Sequence, residues 1–302
     1  MESLLSMLHS QLVLFVYMAA GVYAERKGLL DEQSRKKLTA LILQLTLPCM
    51  IFGSFNKPLT AEVLRRTGLA FLVALCIALL SFLLGKLLYN FCPREKRSIL
   101  EYCTLVNNSG FLGMPLVSSV FGEEGLLIAS IFIIPNRILM WTAGLSLFTQ
   151  SDFRTRLRNI LLNPCIVTVY LGLFRRLLNL PFPSFLDTAV SRIGALTSPL
   201  SMMLIGTMLL GVRWRELLEP AIFYQSFVRL LALPFTALGI LRLLHCDPLV
   251  SGVSLALTGM PAGSTAVLLA TQYGADERFA SRLVVSSTVL SLFTAPLLML
   301  LL

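Results

Sequence analysis

Apolar residues run along this chain in long blocks separated by short polar stretches, and each block approaches the twenty or so residues that a helix needs to cross the hydrocarbon core of a bilayer. Ten such blocks are predicted to be transmembrane helices: 4–23, 36–56, 64–90, 99–121, 125–149, 160–178, 185–211, 219–243, 247–273 and 279–301. Several are longer than a bilayer requires, which fits tilted or broken helices. The expected fold class is an all-α polytopic membrane protein.

The fourth block is interrupted. Between Leu105 and Phe121 it reads LVNNSGFLGMPLVSSVF, and its centre, Asn107 to Pro115, holds two asparagines, a serine, two glycines and a proline where uniform apolarity is expected. A bilayer core has no water to pair freed backbone groups, so irregular backbone persists there only when buried in protein or lining a polar cavity. The interruption recurs. Gly113-Met114-Pro115 in block four is matched by Gly259-Met260-Pro261 in block nine, and Leu45-Thr46-Leu47-Pro48 in block two by Leu196-Thr197-Ser198-Pro199 in block seven. The exits match as well, Phe121-Gly122-Glu123-Glu124 against Tyr273-Gly274-Ala275-Asp276-Glu277. Order and offset are kept, which predicts two repeats of five helices, 1–150 and 160–302, joined by a basic loop at 151–159. Because five is odd, the repeats are inverted in the membrane.

Composition agrees with the block pattern: 56% of the residues are hydrophobic, 14% are charged, and the mean hydropathy is +0.80. The net charge of +9 would raise nucleic acid as a partner for a soluble protein. Here the basic residues sit in short loops, so no nucleic acid is expected. Sixteen lysines and arginines fall in odd-numbered loops and seven in even-numbered ones, while Arg137 and Arg229 lie inside apolar blocks. By the positive-inside rule the odd loops are cytoplasmic and both termini face outward, in a multi-pass protein of a bacterial inner membrane. No basic residue precedes the first block, so it is expected to be retained and not cleaved as a signal peptide. The six cysteines form no C-x-x-C pair and suggest neither a zinc site nor a disulfide framework.

The chemistry converges on the two interruptions. Pro115 and Pro261 are read as the first residues of second half-helices, where proline's missing N–H costs no hydrogen bond. Gly110, Gly113, Gly259 and Gly263 free the backbone around them. Two such helices crossing at the midplane aim two positive helix N-termini at one spot, and the opposed carbonyl ends face the same region, where a cation can be held. Asn107, Asn108, Ser109, Thr258, Ser264 and Thr265 supply neutral donors and acceptors, either to a ligand or merely to the freed backbone. Arg137 and Arg229 are each expected to neutralise an anionic ligand, since intramembrane charges usually face a cavity, or else to bind carbonyls or snorkel to an interface. No acid lies at mid-depth; Glu101, one turn into block four, comes nearest and is read as interfacial, as are His9 and His245. The usual carboxylate proton relay is therefore absent. No nucleophile-elbow, H-E-x-x-H or P-loop spacing occurs, so neither an enzyme nor an ATP-driven pump is expected.

The stretches NNSGFLGMPLVSSVFGEEGL and LTGMPAGSTAVLLATQYGADERFAS resemble the fourth and ninth helices of the auxin efflux carrier family, which includes bacterial malonate-type permeases and the plant PIN-FORMED carriers. LTLPCMIFGSF, NPCIVTVYLGL and LTSPLSMMLIGTMLLG extend the resemblance over nearly the whole chain. It implies a ten-helix inverted-repeat carrier with a bile-acid-symporter-like fold, a homodimer working by an elevator motion. Helices one, two, six and seven would be the scaffold, and three to five with eight to ten the moving core. Asn108 aligns with a crossover asparagine that contacts the carboxylate, and Pro115 and Pro261 with the crossover prolines. The expected substrate is a small organic anion, a mono- or dicarboxylate, moved without a resident cofactor. Sodium or proton coupling stays open. A sodium-coupled symporter using Asn107 and Ser109 as ligands is the rival expectation, and a membrane ligand sensor the remote one; a sensor would carry a cytoplasmic signalling domain, whereas the chain ends within its last helix.

Overall fold

The structure, a computed structural model, describes residues 2–55, 60–148, 153–178, 180–209 and 219–301. In chain order its α-helices are α1 (Glu2–Arg26), α2 (Glu32–Leu41), α3 (Leu47–Ser54), α4 (Ala61–Leu88), α5 (Arg94–Leu105), α6 (Met114–Leu139), α7 (Phe153–Leu161) and α8 (Pro164–Leu177). The later ones are α9 (Ser184–Ala195), α10 (Thr197–Leu209), α11 (Pro220–Phe227), α12 (Leu233–Leu243), α13 (Pro248–Thr258), α14 (Thr265–Tyr273) and α15 (Glu277–Met299). Among the described residues there is no strand, only one isolated antiparallel bridge between Asn107 and Ala262.

Local chemistry explains where helices begin. Pro164, Pro220 and Pro248 occupy first positions, where a missing N–H is harmless. Asn163, Asp247 and Asp276 accept hydrogen bonds from the free N–H groups of the turns they precede. Among the described residues six helical stretches are apolar and long enough to cross a membrane: Glu32–Ser54, Ala61–Leu88, Ser109–Leu147, Ser184–Thr207, Pro220–Leu243 and Glu277–Met299. Five coincide with predicted blocks. The other, Ser109–Leu147, runs through two of them, because the turn expected at 121–125 is a single hinge residue, Gly122, at φ 60° and ψ −154°. Only glycine takes that conformation readily. The matched glycine after the second interruption, Gly274, also has a positive φ of 71°.

The basic loop expected at 151–159 is helical from Phe153, within α7; residues 149–152 lie outside the described ones. A helix forms there because apolar and basic positions alternate at its period. Leu157 and Leu161 lie one turn apart, as do Arg154 and Arg158, and all four are exposed.

The contacts divide the chain into two compact units. The first comprises Met1–Thr67, Gly110–Ile131 and Leu161–Gly211. Its tightest packing is of α1 on α10, where Gly21 lies against the backbone of Met203 and Gly206 against the backbone of Met18. Small residues allow this approach, as they do between helices in membranes. Phe55, beyond the end of α3, packs on Gly172 of α8, and Gly194 of α9 lies against the backbone of Met50. Arg175 pairs with Asp187 at 3.2 Å and stacks over Phe182.

The second unit comprises Gly68–Ser109, Phe132–Ile160 and Val212–Leu302. Its part of α4 inverts the pattern of a soluble helix: Leu72, Leu79, Leu83 and Leu87 are exposed, while Ala70, Ala74, Ala78 and Ser81 are buried. Leucines outward and an inward face of mostly small residues, with Val73 and Ile77 among them, suit a helix facing lipid on one side and packed helices on the other. Two ion-pair clusters tie the helices together. Glu101, nearly buried, meets Lys86 at 2.7 Å and Arg97 at 2.6 Å, and Glu219 meets Lys96 at 2.6 Å and Arg282 at 3.5 Å.

Candidate functional site

The two interruptions meet inside the second unit. The α5 helix ends at Leu105, and Val106 turns to extended backbone at φ −104° and ψ 119°. On the other side α13 ends at Thr258, and α14 does not begin until Thr265. The unwound segments pair with each other as a two-residue antiparallel ladder: the Asn108 N–H donates to the Pro261 carbonyl at 2.7 Å, and the Gly263 N–H to the Val106 carbonyl at 3.0 Å. The Ala262 N–H between them donates to Ser287 Oγ at 3.2 Å. Each break thus satisfies the backbone that the other leaves open, which irregular chain requires away from water.

The free carbonyls at the two helix ends are satisfied by side chains. Arg229 is only 1% exposed and lies in a wide turn, Val228–Ala232, between α11 and α12. Its Nη1 donates to the Thr104 carbonyl at 3.0 Å, Nη2 to Thr258 at 2.6 Å, and Nε to Met260 at 3.1 Å. One guanidinium therefore bridges the C-termini of α5 and α13. Asn107 Nδ2 donates to the Leu257 carbonyl at 2.7 Å, and Asn136 Nδ2 to Leu105 at 2.9 Å. Hydrogen bonds to a charged donor are worth roughly 1.5–3 kcal/mol each, which offsets the several kcal/mol that burying an arginine costs. Among the described residues Arg229 makes no ion pair.

A cavity of about 20 Å³ opens beside the crossing, lined by Ser81, Asn107, Ser109, Asn136, Arg229 and Thr258 with apolar groups of α4 and α6. Asn107 Oδ1 is buried with no hydrogen-bond partner. The space takes about one or two waters or a small ion. It is far below the roughly 300 Å³ at which organic-ligand pockets begin.

The structure brings Asn107, Asn108, Ser109, Thr258, Gly259, Pro261 and Arg229 together at the crossing. Asn108 is 5% exposed; its backbone N–H is committed to the Pro261 carbonyl, and it is not among the residues that line the cavity. Ser264 and Thr265 are half-buried at the start of α14, where Thr265 Oγ1 and the Tyr102 hydroxyl are 2.9 Å apart. Gly113 and Pro115 belong to the first unit. Arg137 is buried but does not line the cavity; its Nη1 lies 3.6 Å from Met140 Sδ.

Neither proline is the first residue of its half-helix. Pro115 is second in α6, reached through a wide turn at Ser109–Gly113 that already loosens the hydrogen-bond ladder. Pro261 lies four residues ahead of α14, because its carbonyl and the following Ala262 and Gly263 are committed to the pairing with Val106–Asn108. Sequence reasoning missed Asn136, Ser81 and Ser287. Asn136 was detectable, as an amide beside Pro135 in an apolar block; the serines gave no signal.

Comparison with known proteins identifies the family. The model of the family described as "Membrane transport protein" matches residues 6–159 and 153–299. An uncharacterized transporter of Methanocaldococcus jannaschii is 27% identical over 305 residues, covering 95% of this chain and 96% of its own. An uncharacterized transporter of Methanothermobacter thermautotrophicus is 27% identical over 294 residues, with 95% of each chain covered. The uncharacterized transporter YfdV of Escherichia coli is 23% identical over 301 residues, covering 95% of this chain and 94% of its own. With the family model matched over nearly the whole chain, and apolar helices interrupted at two points that meet, this protein belongs to the membrane transport protein family, that of the auxin efflux and malonate-permease-like carriers.

Proposed function

We propose that the protein is a secondary or facilitative carrier of a small organic anion, a malonate- or auxin-like mono- or dicarboxylate, working by elevator-type alternating access. The observation that carries this reading is the crossing itself: two unwound segments pair with each other, Asn108 is buried there, and a polar cavity lined by Asn107, Ser109 and Arg229 lies beside them. An amide there donates to a carboxylate oxygen without the desolvation of a second fixed charge. In the proposed topology ten helices form two inverted repeats, both termini face outward in the cell membrane, and two copies associate. The division into two compact units supports a scaffold and a moving part. The boundary differs from the one expected, since Gly110–Ile131, from helices four and five, groups with helices one, two, six and seven.

Counterflow of radiolabelled malonate in proteoliposomes tests transport and substrate together. Asn108→Ala is expected to weaken binding at least tenfold, about 1.4 kcal/mol, while purification and oligomeric state stay as in the wild type. Unchanged affinity removes Asn108 from the site. Pro115→Ala is expected to slow exchange severalfold with little change in affinity, because alanine restores an N–H that lets the ladder close across the Ser109–Gly113 turn. Wild-type flux in that variant would show that the interruption does not limit transport.

A sodium-coupled symporter is the second reading, favoured by the unpartnered Asn107 Oδ1 beside a cavity of ion size. Uptake that requires a sodium gradient would establish it.

A further inference from the structure

Two helix C-termini that meet inside a protein create a demand for positive charge. Each presents unpaired carbonyls and roughly half a negative charge, so a pair of them amounts to about one. In a carrier this demand is an opportunity to bind a metal ion from solution. Here the demand is already met. The Arg229 guanidinium carries one permanent positive charge and reaches carbonyls of both termini, Thr104 on α5 and Thr258 on α13, with a third bond to Met260 in the break. Its planar fork of donors can bridge two acceptors in a fixed geometry, and it does not deprotonate in proteins.

We propose that Arg229 is a built-in cation that holds the two half-helices at the crossing in the place of a coupling metal ion, so that the anion site forms without sodium. This rests on the carrier reading above. The neighbouring cavity fits the proposal. A metal ion there would sit beside a guanidinium with no carboxylate to offset either charge, since the lining holds none. A water meets no such repulsion: it donates to the unpartnered Asn107 Oδ1 and accepts from a remaining Arg229 N–H. The arrangement also divides the crossing by charge. Arg229 answers the carbonyl ends, which leaves the N-terminal end of α14 and the Asn108 side chain for the anion.

The test uses the purified full-length protein in detergent. Its thermal unfolding is compared in sodium chloride and in choline chloride, for the wild type, Arg229→Ala and Arg229→Lys, with and without low-millimolar methylguanidinium. The wild-type Tm is expected to be the same in both salts. Arg229→Ala should fall by more than about 5 °C and recover at least half of that with methylguanidinium, whereas the wild type and Gly263→Ala gain nothing. Arg229→Lys, with its point charge and no fork, should lie between. A saturable rise of the wild-type Tm with sodium overturns the proposal, as does an Arg229→Ala protein that methylguanidinium does not restore. If Arg229→Ala does not fold, the salt comparison and Arg229→Lys decide. Malonate counterflow by the wild type in sodium-free choline medium completes the test: exchange only with sodium overturns the proposal. Absence of exchange in either salt counts against malonate as substrate, while the unfolding arms judge Arg229 independently.

Discussion

Gly21→Leu and Gly206→Leu are each expected to abolish recovery of folded protein. A Cβ at Gly21 would overlap the carbonyl of Met203, and one at Gly206 the carbonyl of Met18. Both obstacles are backbone, so no side-chain rotation relieves them. Overpacking a core usually costs about 1–3 kcal/mol because flexible side chains give way. Here α1 and α10 must separate along their length, and the cost approaches the whole stability of a domain, on the order of 5–15 kcal/mol. Size-exclusion chromatography of the detergent-extracted protein reads the outcome as loss of the monodisperse peak. Gly53→Ala is the control: nothing lies within 4 Å of a Cβ there, and in a helix alanine is preferred to glycine. A wild-type peak from either leucine variant would mean that α1 does not rest on α10 in this way.

Gly263→Val is expected to open the crossing. A Cβ at this position would lie 3.1 Å from Val106 Cγ1 and 3.3 Å from the carbonyl oxygens of Val106 and Asn107. Alanine asks the Val106 side chain and the two carbonyl oxygens to yield by a few tenths of an ångström. Valine adds two methyl groups against backbone, pushing the unwound segments apart and breaking the Gly263–Val106 and Asn108–Pro261 hydrogen bonds. Two buried pairs left unmade cost on the order of 2–6 kcal/mol. The unfolding temperature should drop by more than about 5 °C, and malonate binding should fall with it because Asn108 loses its anchor. Gly263→Ala should remain near the wild type in both measurements. A valine variant as stable as the wild type would show that the breaks do not depend on pairing with each other.

Much of this protein is legible in its sequence for one physical reason: a bilayer demands about twenty apolar residues per crossing, so each exception stands out. The asparagines, glycines and prolines at 107–115 and 258–265 stood out in this way, and their repetition pointed to two breaks that belong together. Their internal geometry did not follow as directly. Proline at a helix start is a good local rule, yet Pro261 lies in extended chain because pairing with residues some 150 positions earlier claims the segment after it. The expected loop between blocks four and five shrank to Gly122 for a similar reason, since one residue with positive φ can turn a helix where several were assumed.

The sequence alone determined the membrane class, the family, and the segments where helices cannot continue, all consequences of local composition and short motifs. Only the tertiary structure decided what each polar group inside the protein does. Arg229 and Arg137 look alike in the sequence, each a single charge in an apolar block. One closes two helix ends 125 and 29 residues away, and the other lies beside Met140. That difference is set by which carbonyls packing brings within reach of a guanidinium.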